Sequence, residues 1–209
     1  MRRVIAAHFP DDDILGEEFG REGKNGGRLW VLDPIDGTRA FITGRPLFGT
    51  LIGVIEAGRP VLGLIDQPVT GERWLGVAGE ALRYRSGYGG TPGCRPCPVL
   101  AEAELAATSP SMFSPDQATR FARLAARVGR VSWGGDCYGY GLLALGMIDI
   151  IAEADLKLWD WAALAPIIES AGGVACDWQG RPLAEGGDGT MLALGDPGLR
   201  EAALALLAG

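Results

Sequence analysis

Trp30-Val31-Leu32-Asp33-Pro34-Ile35-Asp36-Gly37-Thr38 is the stretch whose reading decides the fold. Three apolar residues form the end of a buried strand, which then delivers two carboxylates three positions apart around a proline. Pro34 has no N–H for a ladder and biases its neighbour to an extended conformation, so the strand is expected to stop there. Gly37 allows a tight turn, and Thr38 stands at a helix start. Asp33 and Asp36 can offer oxygens to a hard cation such as Mg²⁺, while the N–H groups of Gly37 and Thr38 can face a phosphate. The same residue types also make an ordinary turn and helix cap, and the string alone leaves both readings open.

Composition narrows the function classes. A chain of 209 residues can bury a sizeable core, as one large domain or two small ones sharing a cleft. Its formal charge of -7 and its lack of Lys/Arg runs argue against nucleic-acid and anionic-membrane partners. No apolar run reaches the ~18 residues of a membrane span, and the start meets Pro10 and three aspartates too early for a signal peptide. The expected location is the cytoplasm. Four scattered cysteines do not make a disulfide scaffold or a zinc site, so free thiols are expected. His8 is the only histidine. A multi-histidine zinc site has no residues to draw on, and chemistry must rest on carboxylates and hydroxyls.

Around the central stretch the pattern divides into halves, 1–98 and 99–209. Residues 1–8 read as the last turns of a helix. Residues 48–56 and 60–68 make a hairpin about the turn Ala57-Gly58-Arg59, followed by strands at 74–78 and 81–84, an antiparallel meander that ends in a Gly/Pro-rich loop. The second half alternates: a helix from Ser114-Pro115 to Val128, a strand at 131–133, and a helix from Asp136 to near Gly146. A strand at 148–152, a helix from Trp159 to Ala171 stopped by Gly172-Gly173, strands at 174–178 and 191–194, and a closing helix from Pro197 follow. The fold class is α/β (α+β): an antiparallel-sheet half and an α/β half.

Two further acidic clusters stand at element ends. Glu17-Glu18 follows a short apolar run and by itself reads as a solvated turn. Asp160 lies in the first turn of a helix, where a carboxylate can simply cap. The order of the clusters adds information. Gly16-Glu17-Glu18, then Asp33-Pro34-Ile35-Asp36-Gly37-Thr38, then Trp159-Asp160-Trp161-Ala162-Ala163 through Ala171-Gly172-Gly173 resembles the signatures of the inositol-monophosphatase-like family of Mg²⁺-dependent phosphatases, over residues 9 to the C-terminus. The resemblance implies a layered α/β/α/β/α sugar-phosphatase fold with a metal cleft between the halves. It implies two or three Mg²⁺ ions, with Mn²⁺ as an alternative, on Glu17, Asp33, Asp36, Asp160 and the Ile35 carbonyl. Glu17, Thr38 and Asp36 are the implied catalytic residues, with Gly37 and Thr38 on the phosphate. A small phosphate monoester is the implied substrate, and a homodimer the expected assembly.

Arg39-Ala40-Phe41, Pro46-Leu47-Phe48-Gly49-Thr50, Leu64-Ile65-Asp66-Gln67-Pro68 and Gly135-Asp136-Cys137-Tyr138 look most like the histidinol-phosphate phosphatases of this family, with inositol monophosphatase and 3′-phosphoadenosine 5′-phosphate phosphatase as the alternatives within the reaction class. L-Histidinol phosphate carries an ammonium and an imidazole, for which Asp136 and Glu153 are candidate partners, with Arg39 also assigned to the substrate. Glu153 also matches a position that reaches substrate hydroxyls in the inositol enzymes, and Asp136 can equally cap a helix. Family members usually carry two long N-terminal helices and a Val-Thr-x-Ala-Asp segment ahead of Gly-Glu-Glu. Their absence here leads to the expectation of a shortened chain with uncovered apolar surface and weakened activity, or of a protein that binds metal without turnover.

Overall fold

Ala57 and Gly58 take positive φ values of 48° and 76°, a turn twist that suits a two-residue β-hairpin. The hairpin joins β4 (Gly49–Glu56) to β5 (Arg59–Gln67), as expected. The computed structural model describes residues 1–23 and 26–209. Ahead of the hairpin come α1 (Arg2–His8), β1 (Asp13–Gly16), β2 (Gly20–Glu22), β3 (Arg28–Asp36) and α2 (Thr38–Ile42). After it come β6 (Glu72–Val77) and β7 (Arg83–Arg85). They form one sheet in the order β2-β1-β3-β4-β5-β6-β7, antiparallel except where β1 runs parallel to β3. The second sheet, β11-β12-β10-β8-β9, is mixed and contains β8 (Glu104–Ala107), β9 (Arg130–Trp133), β10 (Ile150–Glu153), β11 (Val174–Cys176) and β12 (Met191–Leu194).

Helices fill the space between the sheets and cover their outer faces. Leu29, Val31, Leu51, Ile65 and Trp74 of the first sheet share one core with Tyr140 and Leu143 of α4 (Asp136–Leu143) and with Trp161 of α5 (Leu158–Trp161). Ile167 and Ile168 of α6 (Leu164–Ser170) and Ile151 and Met191 of the second sheet close it. The far face of the second sheet packs on α3 (Pro115–Ala125) and α7 (Arg200–Leu207) through Phe121, Leu124, Ala203 and Leu207. On the outer face of the first sheet, Ile5 of α1 meets Ile14 and Leu32, with Trp30 and Ile52 alongside. The layers run α/β/α/β/α, as the resemblance implies.

Four local expectations need correction. Strand β3 does not stop at Pro34 but continues to Asp36, because its pairing with β4 is irregular between Asp33 and Asp36, so the missing proline N–H falls where the ladder is already interrupted. The helix expected over 159–171 is two helices. Pro166 cannot donate to the Ala162 carbonyl and its ring crowds that group, so the chain turns at Ala162-Ala163. Helix α3 ends at Ala125, three residues early. Strand β8, interior to the second sheet, was not anticipated; four residues rich in alanine carry little period-2 signal.

Candidate metal and phosphate site

The two aspartates of β3 stand at its irregular end. Asp33 is buried, 2 % exposed, and its Oδ1 accepts the Ile35 N–H at 2.9 Å. Asp36 Oδ2 accepts the Cys137 N–H from the first turn of α4 at 2.8 Å. Asp160 sits in the first turn of α5, where its Oδ2 accepts the Lys157 N–H at 2.7 Å, so the capping role read from sequence is present. The same residue also turns a carboxylate oxygen toward β3. One oxygen from each of Asp33, Asp36 and Asp160 lies within 4.8 Å of the others.

Three carboxylates this close repel one another. Burial, with the charges of Glu17 and Asp160 adding to it, pushes the Asp33 carboxyl up to about 7. Burial lifts Asp160 to about 6 against the Lys157 N–H, with Glu17 again contributing. Asp36 is raised well above the ordinary range, chiefly by desolvation, and the Cys137 thiol and N–H oppose the rise. An all-oxygen donor set under mutual repulsion matches the needs of a hard divalent cation, so the residues fit Mg²⁺. Glu17 follows β1 and is exposed; its field reaches Asp33 and Asp160, while its carboxylate lies outside the tight triad. The Ile35 carbonyl accepts the Thr38 hydroxyl at 3.2 Å and has a second lone pair to offer.

What sets the position of Asp160 is the contact of α5–α6 with the first sheet. Gly53, Gly63 and Gly76 lie side by side on β4, β5 and β6. A β-carbon on Gly63 would fall 1.8 Å from the Ala163 carbonyl oxygen, and one on Gly53 would fall 2.9 Å from the Ala162 carbonyl carbon. Helix and sheet therefore meet backbone to backbone, two residues beyond Asp160. Gly37 is required twice over. Its φ is 79°, and a β-carbon there would stand 3.0 Å from Asp136 Cβ.

Beside the triad opens a cavity of about 260 Å³ whose lining includes Asp36, Asp136, Glu153, Asp155 and Asp160 and, among the described residues, no lysine or arginine. Buried Glu153 accepts from the Thr108 N–H at 2.6 Å and the Tyr140 hydroxyl at 2.8 Å, and burial raises its carboxyl above the usual range. Asp136 is raised mainly by burial, with Arg45 opposing. Arg39 is exposed on α2 and does not line this cavity. Sequence reasoning missed Thr108, Tyr140 and the Cys137 N–H. The first lies just beyond the unread strand β8, and the others act through groups that carry no motif.

A model of the inositol monophosphatase family matches residues 1–207. The chain belongs to the inositol monophosphatase family. Several of its relatives are named phosphatases, and the family is one of metal-dependent hydrolases. The chain is 44% identical over 183 residues to a protein of Arabidopsis thaliana named bifunctional phosphatase IMPL2, chloroplastic, covering 87% of this chain and 52% of that protein. It thus spans about half the length of that relative. Against a histidinol-phosphatase of Chlorobaculum parvum it is 36% identical over 199 residues, covering 92% of this chain and 74% of that one. A solved structure of an inositol monophosphatase from Zymomonas mobilis superposes with a TM-score of 0.91 at 46% identity, covering 99% of this chain and 79% of that one. Among the described residues no helix is long and apolar enough to cross a membrane.

Proposed function

We propose that this member of the inositol monophosphatase family is a Mg²⁺-dependent phosphate monoester hydrolase whose substrate is L-histidinol phosphate. The observation that carries the substrate is the cavity beside Asp33, Asp36 and Asp160. It offers further carboxylates, Asp136 and Glu153, and among the described residues no basic side chain lines it. Such a wall favours a leaving group with a positive charge over a neutral polyol. The histidinol-phosphatase relatives, at 36% and 38% identity, support the same choice.

Asp33, Asp36 and Asp160, with Glu17 and the Ile35 carbonyl, would hold Mg²⁺. When bound, the ion supplies Lewis-acid charge that makes water a nucleophile at neutral pH and stabilises the leaving alkoxide. The remaining work falls to the chain. Glu17, exposed beside the triad, takes the proton of the attacking water, and the Thr38 hydroxyl orients that water. The Gly37 and Thr38 amides hold phosphate oxygens as charge develops on them. Asp136 and Glu153 hold the ammonium and imidazole, which places the ester oxygen over the triad. On this proposal the enzyme works in the cytoplasm as a homodimer and engages no nucleic acid.

A second substrate, inositol 1-phosphate, is favoured by one specific observation: the Zymomonas mobilis structure at 46% identity is named an inositol monophosphatase. Phosphate release from L-histidinol phosphate and inositol 1-phosphate, measured in parallel with Mg²⁺ and with chelator, decides between them. Mg²⁺-dependent preference for L-histidinol phosphate is the expected result. Preference for inositol 1-phosphate overturns the substrate, and Mg²⁺ binding without release from either overturns the enzyme in favour of a metal-binding protein.

A further inference from the structure

Two consecutive N–H groups at the start of α4 are held by opposite sides of the molecule. The Cys137 N–H goes to Asp36 on the first sheet, and the Asp136 N–H goes to the Thr108 hydroxyl at 3.1 Å, at the end of β8 in the second sheet. Asp136 itself has φ 45°, a left-handed conformation uncommon for a residue other than glycine. Such a conformation persists only where its surroundings over-determine it, and it points to function when it stands at a site. The clamp on its N–H is one of those surroundings.

Thr108 has a second hold. Its N–H donates to Glu153 Oε1 at 2.6 Å, while the Tyr140 hydroxyl occupies Oε2 at 2.8 Å. One residue therefore holds both residues whose carboxylates face the leaving-group side of the cavity, Asp136 by its backbone N–H through the Thr108 hydroxyl and Glu153 by its carboxylate through the Thr108 amide. All four residues line the same cavity of about 260 Å³. Tyr140 and Glu153 are buried, so the acidic wall is built on a fixed hydrogen-bonded frame and not on mobile surface side chains.

We propose that Thr108 is a positioning residue for leaving-group specificity, setting the separation and aim of Asp136 and Glu153 without touching the metal ligands' own carboxylates. This rests on the proposed histidinol-phosphate phosphatase activity. Thr108 acts through the two carboxylates, so its effect belongs in substrate affinity. Loss of its hydroxyl frees the Asp136 N–H and lets the strained residue relax, which displaces one carboxylate relative to the other.

The test uses the whole chain with Thr108→Val, which keeps the shape and the N–H but removes the hydroxyl, and Thr108→Ser, which restores it. The expected result for Thr108→Val is a KM for L-histidinol phosphate raised about tenfold with kcat changed less, and recovery in Thr108→Ser. Mg²⁺ titration followed by tryptophan fluorescence, which reports through Trp159 and Trp161 beside Asp160, should give a midpoint within about twofold of wild type. A wild type that turns over L-histidinol phosphate and a Thr108→Val variant with the same KM overturn the role of Thr108 alone. A fall in kcat and Mg²⁺ affinity together, with KM unmoved, also overturns it, by showing a general structural role. A wild type silent on L-histidinol phosphate overturns the substrate assignment and this inference with it.

Discussion

The N–H of Cys137 donates to Asp36 Oδ2 at 2.8 Å, joining the end of β3 to the start of α4 across 101 positions of sequence. The contact fixes a candidate metal ligand to the helix layer between the sheets, and the Cys137 thiol beside it adds a second donor. Asp36→Asn keeps an acceptor for the Cys137 N–H but removes one negative charge from the triad. Outer partners of metal ligands typically cost 10–100-fold when lost, so loss of a ligand should lower Mg²⁺-dependent phosphate release by more than ~100-fold. The same variant, free of metal, should melt at a higher temperature than wild type above neutral pH, because one of three repelling carboxylates is gone. A melting temperature lowered in chelator would contradict the repulsion.

The stability of the metal-free protein should depend on pH in a definite direction. Asp33 is raised to about 7 and Asp160 to about 6 in the fold, whereas both return to about 3.9 when the chain unfolds. The folded state then binds the protons more tightly. Its extra stability is full below about pH 4 and is lost as pH rises through about 6 and 7. Melting curves in chelator should fall across that window, and millimolar Mg²⁺ should flatten the decline by taking the place of the protons. Asp33→Asn supplies the control: its curve in chelator should slope less than that of wild type.

Arg95 offers a purely structural prediction. Its guanidinium binds both oxygens of Asp149, at 2.7 and 2.6 Å, and the Asp149 side chain is fully buried. Asp149 also accepts the Glu104 N–H at 2.8 Å, at the first residue of β8. Arg95→Ala leaves a buried charge with one backbone donor and should cost about 2–3 kcal/mol in denaturant unfolding. Adding Asp149→Ala should recover part of that loss, since the uncompensated charge leaves with it. A double variant less stable than Arg95→Ala would show that the Glu104 contact matters more than the ion pair.

Much of this architecture was legible in the residues because its signals are local. Gly37 and Thr38 after two aspartates, the glycine turn at 57–59 and the apolar runs of β4 and β5 on either side of it each announce themselves within a few positions. The three acidic clusters were also found, because carboxylates at element ends are visible as types. What the chain order does not display is partnership at a distance. Thr108 meets Asp136 and Glu153 from 28 and 45 positions away, and nothing in Ala106-Ala107-Thr108 marks the residue. The break between α5 and α6 was legible in principle, since Pro166 removes the donor that Ala162 needs. Asp160 was readable as a cap or a ligand, and the fold shows both arrangements: it accepts the Lys157 N–H and still reaches the triad. Arg39 reads as a substrate group from its neighbours in sequence, but α2 carries it away from the cavity lining.

The backbone contact of α5–α6 on the first sheet makes Gly63 a sensitive position. A β-carbon there meets the Ala163 carbonyl oxygen at 1.8 Å, a backbone atom that cannot swing aside as a side-chain tip can. Gly63→Ala must therefore lift the Ala162-Ala163 break off β5, at a cost of about 3 kcal/mol or more. Gly58, in the hairpin turn at φ 76°, has open space around it, so Gly58→Ala costs only the backbone strain, about 1 kcal/mol. The two alanines should also differ at the site. Asp160 precedes the lifted segment by two residues, so Gly63→Ala should raise the Mg²⁺ concentration needed for half-maximal tryptophan fluorescence change, and Gly58→Ala should not. Equal Mg²⁺ midpoints in both variants, measured well below their melting temperatures, would show that Asp160 keeps its place through its own Lys157 contact and that the depth of the helix is immaterial to the triad.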